Sequence, residues 1–176
     1  MKEFKEQKRI DLSYIKWCGW QKTALHFIGK PLNFKEIYSA QFQKKFLPLF
    51  KIKKLFILKQ VHSNRIIELD LNKSFSSKVI RIGEGDGIYI SDLTLVESGF
   101  GIGIFTADCL PIFIKKENKL IALHCGWRGL ASGIIENALD ILSPSLENIE
   151  VVIGPAICWK CYPVGREVYE SVTGLS

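Results

Sequence analysis

The 176-residue chain is predicted to form an α+β layered sandwich, one domain over residues 1–176 with mixed β-sheets and flanking helices. Three observations lead there. Short apolar runs of strand length recur at residues 55–58, 101–105, 112–114, 120–123 and 149–153, with turn residues beside them. Amphipathic helical patterns are few, at residues 34–46, 130–142 and 165–172. Strands and helices do not alternate strictly, which favours segregated layers over a doubly wound parallel sheet.

The elements follow in order. Residues 12–20, rich in aromatic and β-branched side chains, read as a strand. Phe34, Ile37, Tyr38, Phe42 and Phe46 lie near a 3.6-residue period, predicting a helix that Pro48 ends. The runs at 55–58 and 65–69 flank KQVHSN, so His62 is expected at or between strand ends. Residues 87–90 form a strand after the turn Gly83-Glu84-Gly85-Asp86. The segment from Thr106 to Pro111 separates two further strands, and Asn118 marks a turn before a strand that ends at His124. Leu130, Ile134, Ile135, Ala138, Leu139 and Leu142 trace one face of a helix, and Gly154-Pro155 closes the strand at 149–153.

Composition narrows the class. Apolar residues make up 47% and charged residues 24%, an ordinary globular balance. No apolar run of about 18 residues or more suggests a transmembrane helix. The charged N-terminal segment has no apolar signal region, so a cytoplasmic protein is expected. Residues 1–59 carry 14 Lys/Arg against 4 Asp/Glu, whereas the remainder carries 10 against 14. These lysines are scattered among apolar residues and match no nucleic-acid-binding motif. They read as a composition bias on solvated faces; no nucleic-acid or membrane partner is expected, and the chain is read as a monomer.

Three side chains capable of chemistry leave apolar strands at comparable places: His62, Cys109 in FTADCLP, and His124. Gaps of 47 and 15 residues match no local zinc-ligand pattern, so spacing alone leaves metal ligation, nucleophilic catalysis and structural roles open. In HCGWRG, Gly126 and Gly129 surround Trp127 and Arg128 just before a helix. Arg128 and the helix N-terminus could hold phosphate or carboxylate, or Arg128 could be a solvated turn residue. Asp86 reads locally as a turn residue before a site carboxylate, and Asp108 as a bend residue. Five cysteines form no regular framework. Cys158-x-x-Cys161 lacks a second ligand pair or a thioredoxin-like context, so structural thiols are expected there. Cys18 and His26 belong to no motif.

Taken together and in this order, KQVHSNRI, GDGIYIS, FTADCLPIFI, LHCGWRGLASGII and VVIGPAICWKCYPVGREV resemble the laccase-domain or YfiH-like family. Its members are described as purine nucleoside phosphorylases with adenosine deaminase and methylthioadenosine phosphorylase activity. Older labels are multicopper polyphenol oxidoreductase and peptidoglycan editing factor. The resemblance runs from Lys59 to Tyr169 and implies an α+β sandwich with mixed sheets. It also implies that His62, Cys109 and His124 are zinc ligands, that Arg128 and Asp86 lie near the site, and that a purine nucleoside and phosphate are the substrates. Cys125 stands where the family usually has alanine and is expected to be a tolerated substitution. Family members are longer, so this chain is expected to lack a C-terminal part.

A His₂Cys set leaves one tetrahedral position open and can bring bound water toward a pKa of about 7, chemistry suited to deamination. The usual nucleobase-deaminase H-x-E element is absent from the sequence. A multicopper oxidase needs on the order of ten histidine ligands. The chain has three, and its single methionine is Met1, so zinc is expected ahead of copper. A metal-free cysteine hydrolase using Cys109 and a binding domain without turnover are the alternative readings.

Overall fold

The computed structural model describes residues 4–9, 12–20, 23–28, 34–142 and 147–175. The chain begins with the strands β1 (Phe4–Arg9), β2 (Leu12–Trp20) and β3 (Thr23–Ile28), followed by the short helix α1 (Ala40–Lys45). Strands β4 (Lys54–Lys59), β5 (Ile66–Glu68), β6 (Val79–Glu84), β7 (Gly87–Ile90) and β8 (Phe100–Gly103) come next. A hairpin of β9 (Leu110–Lys116) and β10 (Lys119–Cys125) leads into helices α2 (Trp127–Ala131) and α3 (Ile134–Leu142). Strand β11 (Ile149–Ile153) and helix α4 (Arg166–Thr173) follow.

Among the described residues these strands form three sheets, ordered β1-β2-β3, β11-β9-β10-β7-β5 and β6-β4-β8. The five-stranded sheet is mixed: β5 runs parallel to β7, and the remaining pairs are antiparallel. In the last sheet β4 runs parallel to both neighbours. A central parallel strand is covered on both faces, which explains the unbroken buried run Leu55 to Leu58. Its alternate side chains divide between two cores. Phe56 and Leu58 pack with Ile88, Ile90, Leu120 and Val152 of the five-stranded sheet, whereas Leu55 and Ile57 pack with Ile37, Phe42, Phe46 and Leu47 around α1. Phe56, fully buried, stacks on Phe100 at 4.8 Å between ring centroids. Truncating such a ring to alanine costs about 3–5 kcal/mol.

The other face of the five-stranded sheet is covered by α3, whose Ile134, Ala138 and Leu142 pack on Ile112, Ile114, Ile121 and Leu123. The layers are therefore α3, the five-stranded sheet, the β6-β4-β8 sheet and α1. This is the α+β layered sandwich with mixed sheets that the sequence predicts. No helix among the described residues is long and apolar enough to cross a membrane.

Two expected helices are each broken. The pattern at 34–46 divides into a 3-10 turn, Phe34–Tyr38, and α1, because the Ser39 hydroxyl accepts the Phe42 N–H at 3.1 Å and starts a new helix. The pattern at 130–142 divides at Gly133, whose φ of +84° cannot continue a right-handed helix. Strand β6 has no counterpart among the expected elements; it absorbs Gly83 and Glu84, so the expected turn shrinks to Gly85-Asp86. Strands β1 and β3 are likewise additions, since Lys and Gln interrupt the apolar pattern of the first.

Candidate metal centre

Strand pairing assembles the site. On β10, residues 121, 123 and 125 point into the core under α3, so period-two alternation sends His124 to the opposite face. Cys125 pairs with Leu110, which places the preceding Cys109 beside the end of β10. Gly87 pairs with Leu123, which puts Asp86 alongside His124. The chain leaving β4 brings His62 in from the β6-β4-β8 sheet. His62, Cys109 and His124 thereby offer ligand atoms all within 4.8 Å of one another. His124 is buried, Cys109 is half-buried and His62 is exposed, so the cluster opens to solvent on one side.

Asp86 is the organising group. Its fully buried carboxylate accepts the Nδ1–H of His124 at 2.8 Å, and its backbone carbonyl accepts the His124 N–H at 2.7 Å. The same carboxylate accepts three successive backbone N–H groups: Val61 at 3.2 Å, His62 at 3.0 Å and Ser63 at 2.6 Å. The Ser63 hydroxyl adds a further bond at 2.8 Å. Converging N–H groups of this kind form an anion-binding nest, and here they hold His62 at a left-handed φ of 60°. Burial opposes ionisation of Asp86, but the bonds from His124, Ser63 and His62 outweigh it and hold the carboxyl below its ordinary value. An ionised carboxylate only accepts, so a proton lies on His124 Nδ1, and Nε2 is the atom turned toward the cluster that would bind a metal ion.

Close approach needs Gly126. A Cβ there would lie 2.8 Å from His62 Cδ2 and 3.2 Å from Cys109 Sγ, inside the cluster. Burial, with the charges of Asp108 and Asp86, pushes the Cys109 thiol up. Cys109 Sγ and His62 Nε2 are 4.0 Å apart, and the His62 and His124 rings meet edge to face at 4.7 Å. Cys125 sits in the apolar cluster under α3, where burial, with lesser effects of Cys109 and Asp86, pushes its thiol up to about 12. Arg128 is exposed, its guanidinium 4.4 Å above the Trp127 ring. The structure thus brings together four of the five sequence candidates. It stacks the fifth on its neighbour in α2.

Reading the sequence residue by residue misses Gln60. Its side-chain amide donates to the Phe105 carbonyl at 2.7 Å and accepts the Phe105 N–H at 2.8 Å. This two-bond clamp ties the His62 loop to the chain running toward Cys109. Ser63 escapes notice for the same reason: each acts on backbone brought close only by folding. Cys158 and Cys161 also depart from expectation, since both thiols are exposed rather than packed in a core.

Fold and cluster together define an α+β protein whose open His₂Cys set could hold a metal ion. The chain belongs to the family described as multi-copper polyphenol oxidoreductase laccase, whose model matches residues 40–175. A purine nucleoside phosphorylase of Rickettsia conorii is 30% identical over 155 residues, which are 86% of this chain and 60% of that protein. The purine nucleoside phosphorylase YfiH of Escherichia coli is 32% identical over 116 residues, 65% of this chain and 43% of its own length. The crystal structure of Bacillus licheniformis hypothetical protein YfiH superposes with a TM-score of 0.66 at 21% identity, covering 93% of this chain and 66% of that one; this likeness is one of fold. The chain therefore spans less than two thirds of the length of these curated relatives.

Proposed function

We propose that the chain is a zinc-dependent purine nucleoside phosphorylase, acting on adenosine, inosine or methylthioadenosine with phosphate, with adenosine deaminase as a side activity. The observation that carries this reading is the His62–Cys109–His124 cluster, held by Asp86, in a chain whose relatives bear the phosphorylase name.

The residues present fit zinc. Two imidazoles and a thiol are a suitable donor set, the tautomer of His124 is fixed for binding through Nε2, and Gly126 leaves the clearance that the cluster needs. Zinc with three protein ligands keeps an open position and supplies Lewis acidity there. The chain's three histidines argue against a multicopper cluster.

The remaining work falls to the chain's own residues. Asp86 keeps the proton on His124 Nδ1 and stabilises the left-handed turn that presents His62. Gln60 holds the two incoming loops together. Arg128 stacks on Trp127 with its guanidinium edge exposed, and is the candidate to orient phosphate. In α2, a helix of only five residues, this role falls to the side chain more than to the helix dipole. A cytoplasmic, monomeric enzyme is part of the same proposal.

A metal-free cysteine hydrolase is less well supported. Its thiolate would need a close basic partner, whereas His62 Nε2 stands 4.0 Å from Cys109 Sγ and the surroundings favour the neutral thiol. The test is phosphate-dependent release of free purine from a panel of nucleosides by this chain. Release that needs phosphate and disappears in Cys109→Ala supports the proposal; full activity in Cys109→Ala would refute the assigned site.

A further inference from the structure

The Cys158-x-x-Cys161 pair is not part of the His62–Cys109–His124 group and has no part in the proposed reaction, although the Ile157 N–H before it donates to the Asp108 carbonyl at 3.2 Å. The two cysteines bracket a 3-10 turn, Trp159–Cys161, with Cys158 as the extended residue that opens it. The Cys161 N–H donates to the Cys158 carbonyl at 2.9 Å, closing the turn. Three residues per turn bring positions i and i+3 onto one side, and here the two sulfurs stand 2.8 Å apart, both exposed. This contact is closer than packing alone requires, and a small movement would bring the sulfurs to bonding distance.

Neither core packing nor metal ligation accounts for the pair. Structural thiols would be buried, as Cys125 is. A closed zinc site needs further ligands, and among the described residues the metal-competent group of three or more is the His62–Cys109–His124 cluster, which includes neither Cys158 nor Cys161. We infer that Cys158 and Cys161 form a thiol–disulfide exchange site that takes a low-molecular-weight disulfide as its oxidant. Trp159, between them in sequence, is exposed, so the turn that carries both sulfurs is open to a small solute.

Cys158 is the attacking sulfur. The Cys161 thiol beside it, with smaller help from the backbone N–H groups of the turn, holds the Cys158 thiol below its ordinary range, while the same contact raises Cys161. The Cys158 thiolate attacks one sulfur of the oxidant, forming a mixed disulfide and releasing one thiolate, which takes a proton from water. Cys161 then loses its proton to solvent and attacks the Cys158 sulfur, expelling the second thiolate. Two electrons pass from the protein dithiol to the small disulfide, leaving one Cys158–Cys161 bond and two small thiols.

The test is incubation of the full chain with glutathione disulfide at neutral pH, followed by N-ethylmaleimide and peptide mapping. The expected product is a Cys158–Cys161 peptide lighter by two hydrogens. In the unaltered chain the Cys158–Cys161 bond should form severalfold faster than the exposed Cys18 is glutathionylated, and in Cys161→Ser glutathione should remain trapped on Cys158. Recovery of both cysteines as maleimide adducts while Cys18 is glutathionylated would overturn the inference. So would formation of the Cys158–Cys161 bond no faster than glutathionylation of Cys18 in the unaltered chain. The map reads these sulfurs directly, so the outcome is independent of metal binding and of nucleoside turnover.

Discussion

The carboxylate of Asp86 accepts the Nδ1–H of His124 at 2.8 Å while gathering the backbone N–H groups of Val61, His62 and Ser63. One buried group therefore sets the tautomer of one imidazole and the backbone that presents another. In Asp86→Asn the shape is kept, but the charge and part of the accepting capacity are lost. The variant should bind zinc about 10–100-fold more weakly and lose about 3 kcal/mol of stability. Competition with a chromophoric chelator and urea unfolding measure the two effects; unchanged zinc affinity would remove Asp86 from the site.

The same carboxylate should shape the acid limb of stability. Its folded value lies below the ordinary one. Its contribution is then complete above about pH 4 and is lost as pH falls through the folded value, because the unfolded chain takes up the proton first. Urea midpoints of the metal-free protein should fall more steeply on acidification than those of Asp86→Asn. Parallel slopes would show that Asp86 is not depressed.

Gly126 makes a separable prediction. A methyl group there would press on the His62 ring and Cys109 sulfur, which can yield only by leaving their places in the cluster. Gly126→Ala should therefore lower zinc affinity on the order of tenfold or more, with a smaller effect on unfolding of the metal-free chain. Equal zinc affinity in the two proteins would contradict the clearance argument.

Cys125 should be inert. Its thiol, pushed up to about 12, remains neutral at working pH and packs as an apolar group. Iodoacetamide at about pH 8 should label Cys18, Cys158 and Cys161 in the native chain and reach Cys125 only after unfolding. Cys125→Ala should retain zinc. Native labelling of Cys125, or loss of zinc in the variant, would place it in the site instead.

Much of the layering is legible from local pattern, because buried strands such as β4 and β10 are unbroken apolar runs and α3 has a clear apolar face. Where expectation fails, the cause is a single residue acting on backbone: the Ser39 cap and the left-handed Gly133 each divide a continuous periodic pattern. The site divides similarly. His62, Cys109 and His124 stand out as polar endings of apolar runs, and the order of motifs points to metal. Asp86 resembles a turn residue locally because its partners lie 23 to 38 positions away. Gln60 bonds across 45 positions, and no local pattern encodes that distance.

The central claim is that His62, Cys109 and His124 hold one zinc ion. Calorimetric titration of zinc into chelator-stripped protein tests it most directly, with Cys109→Ala in parallel. The account predicts one tight site per chain that is abolished, or weakened by several orders of magnitude, in Cys109→Ala. No saturable binding, or the same binding in both proteins, would contradict it.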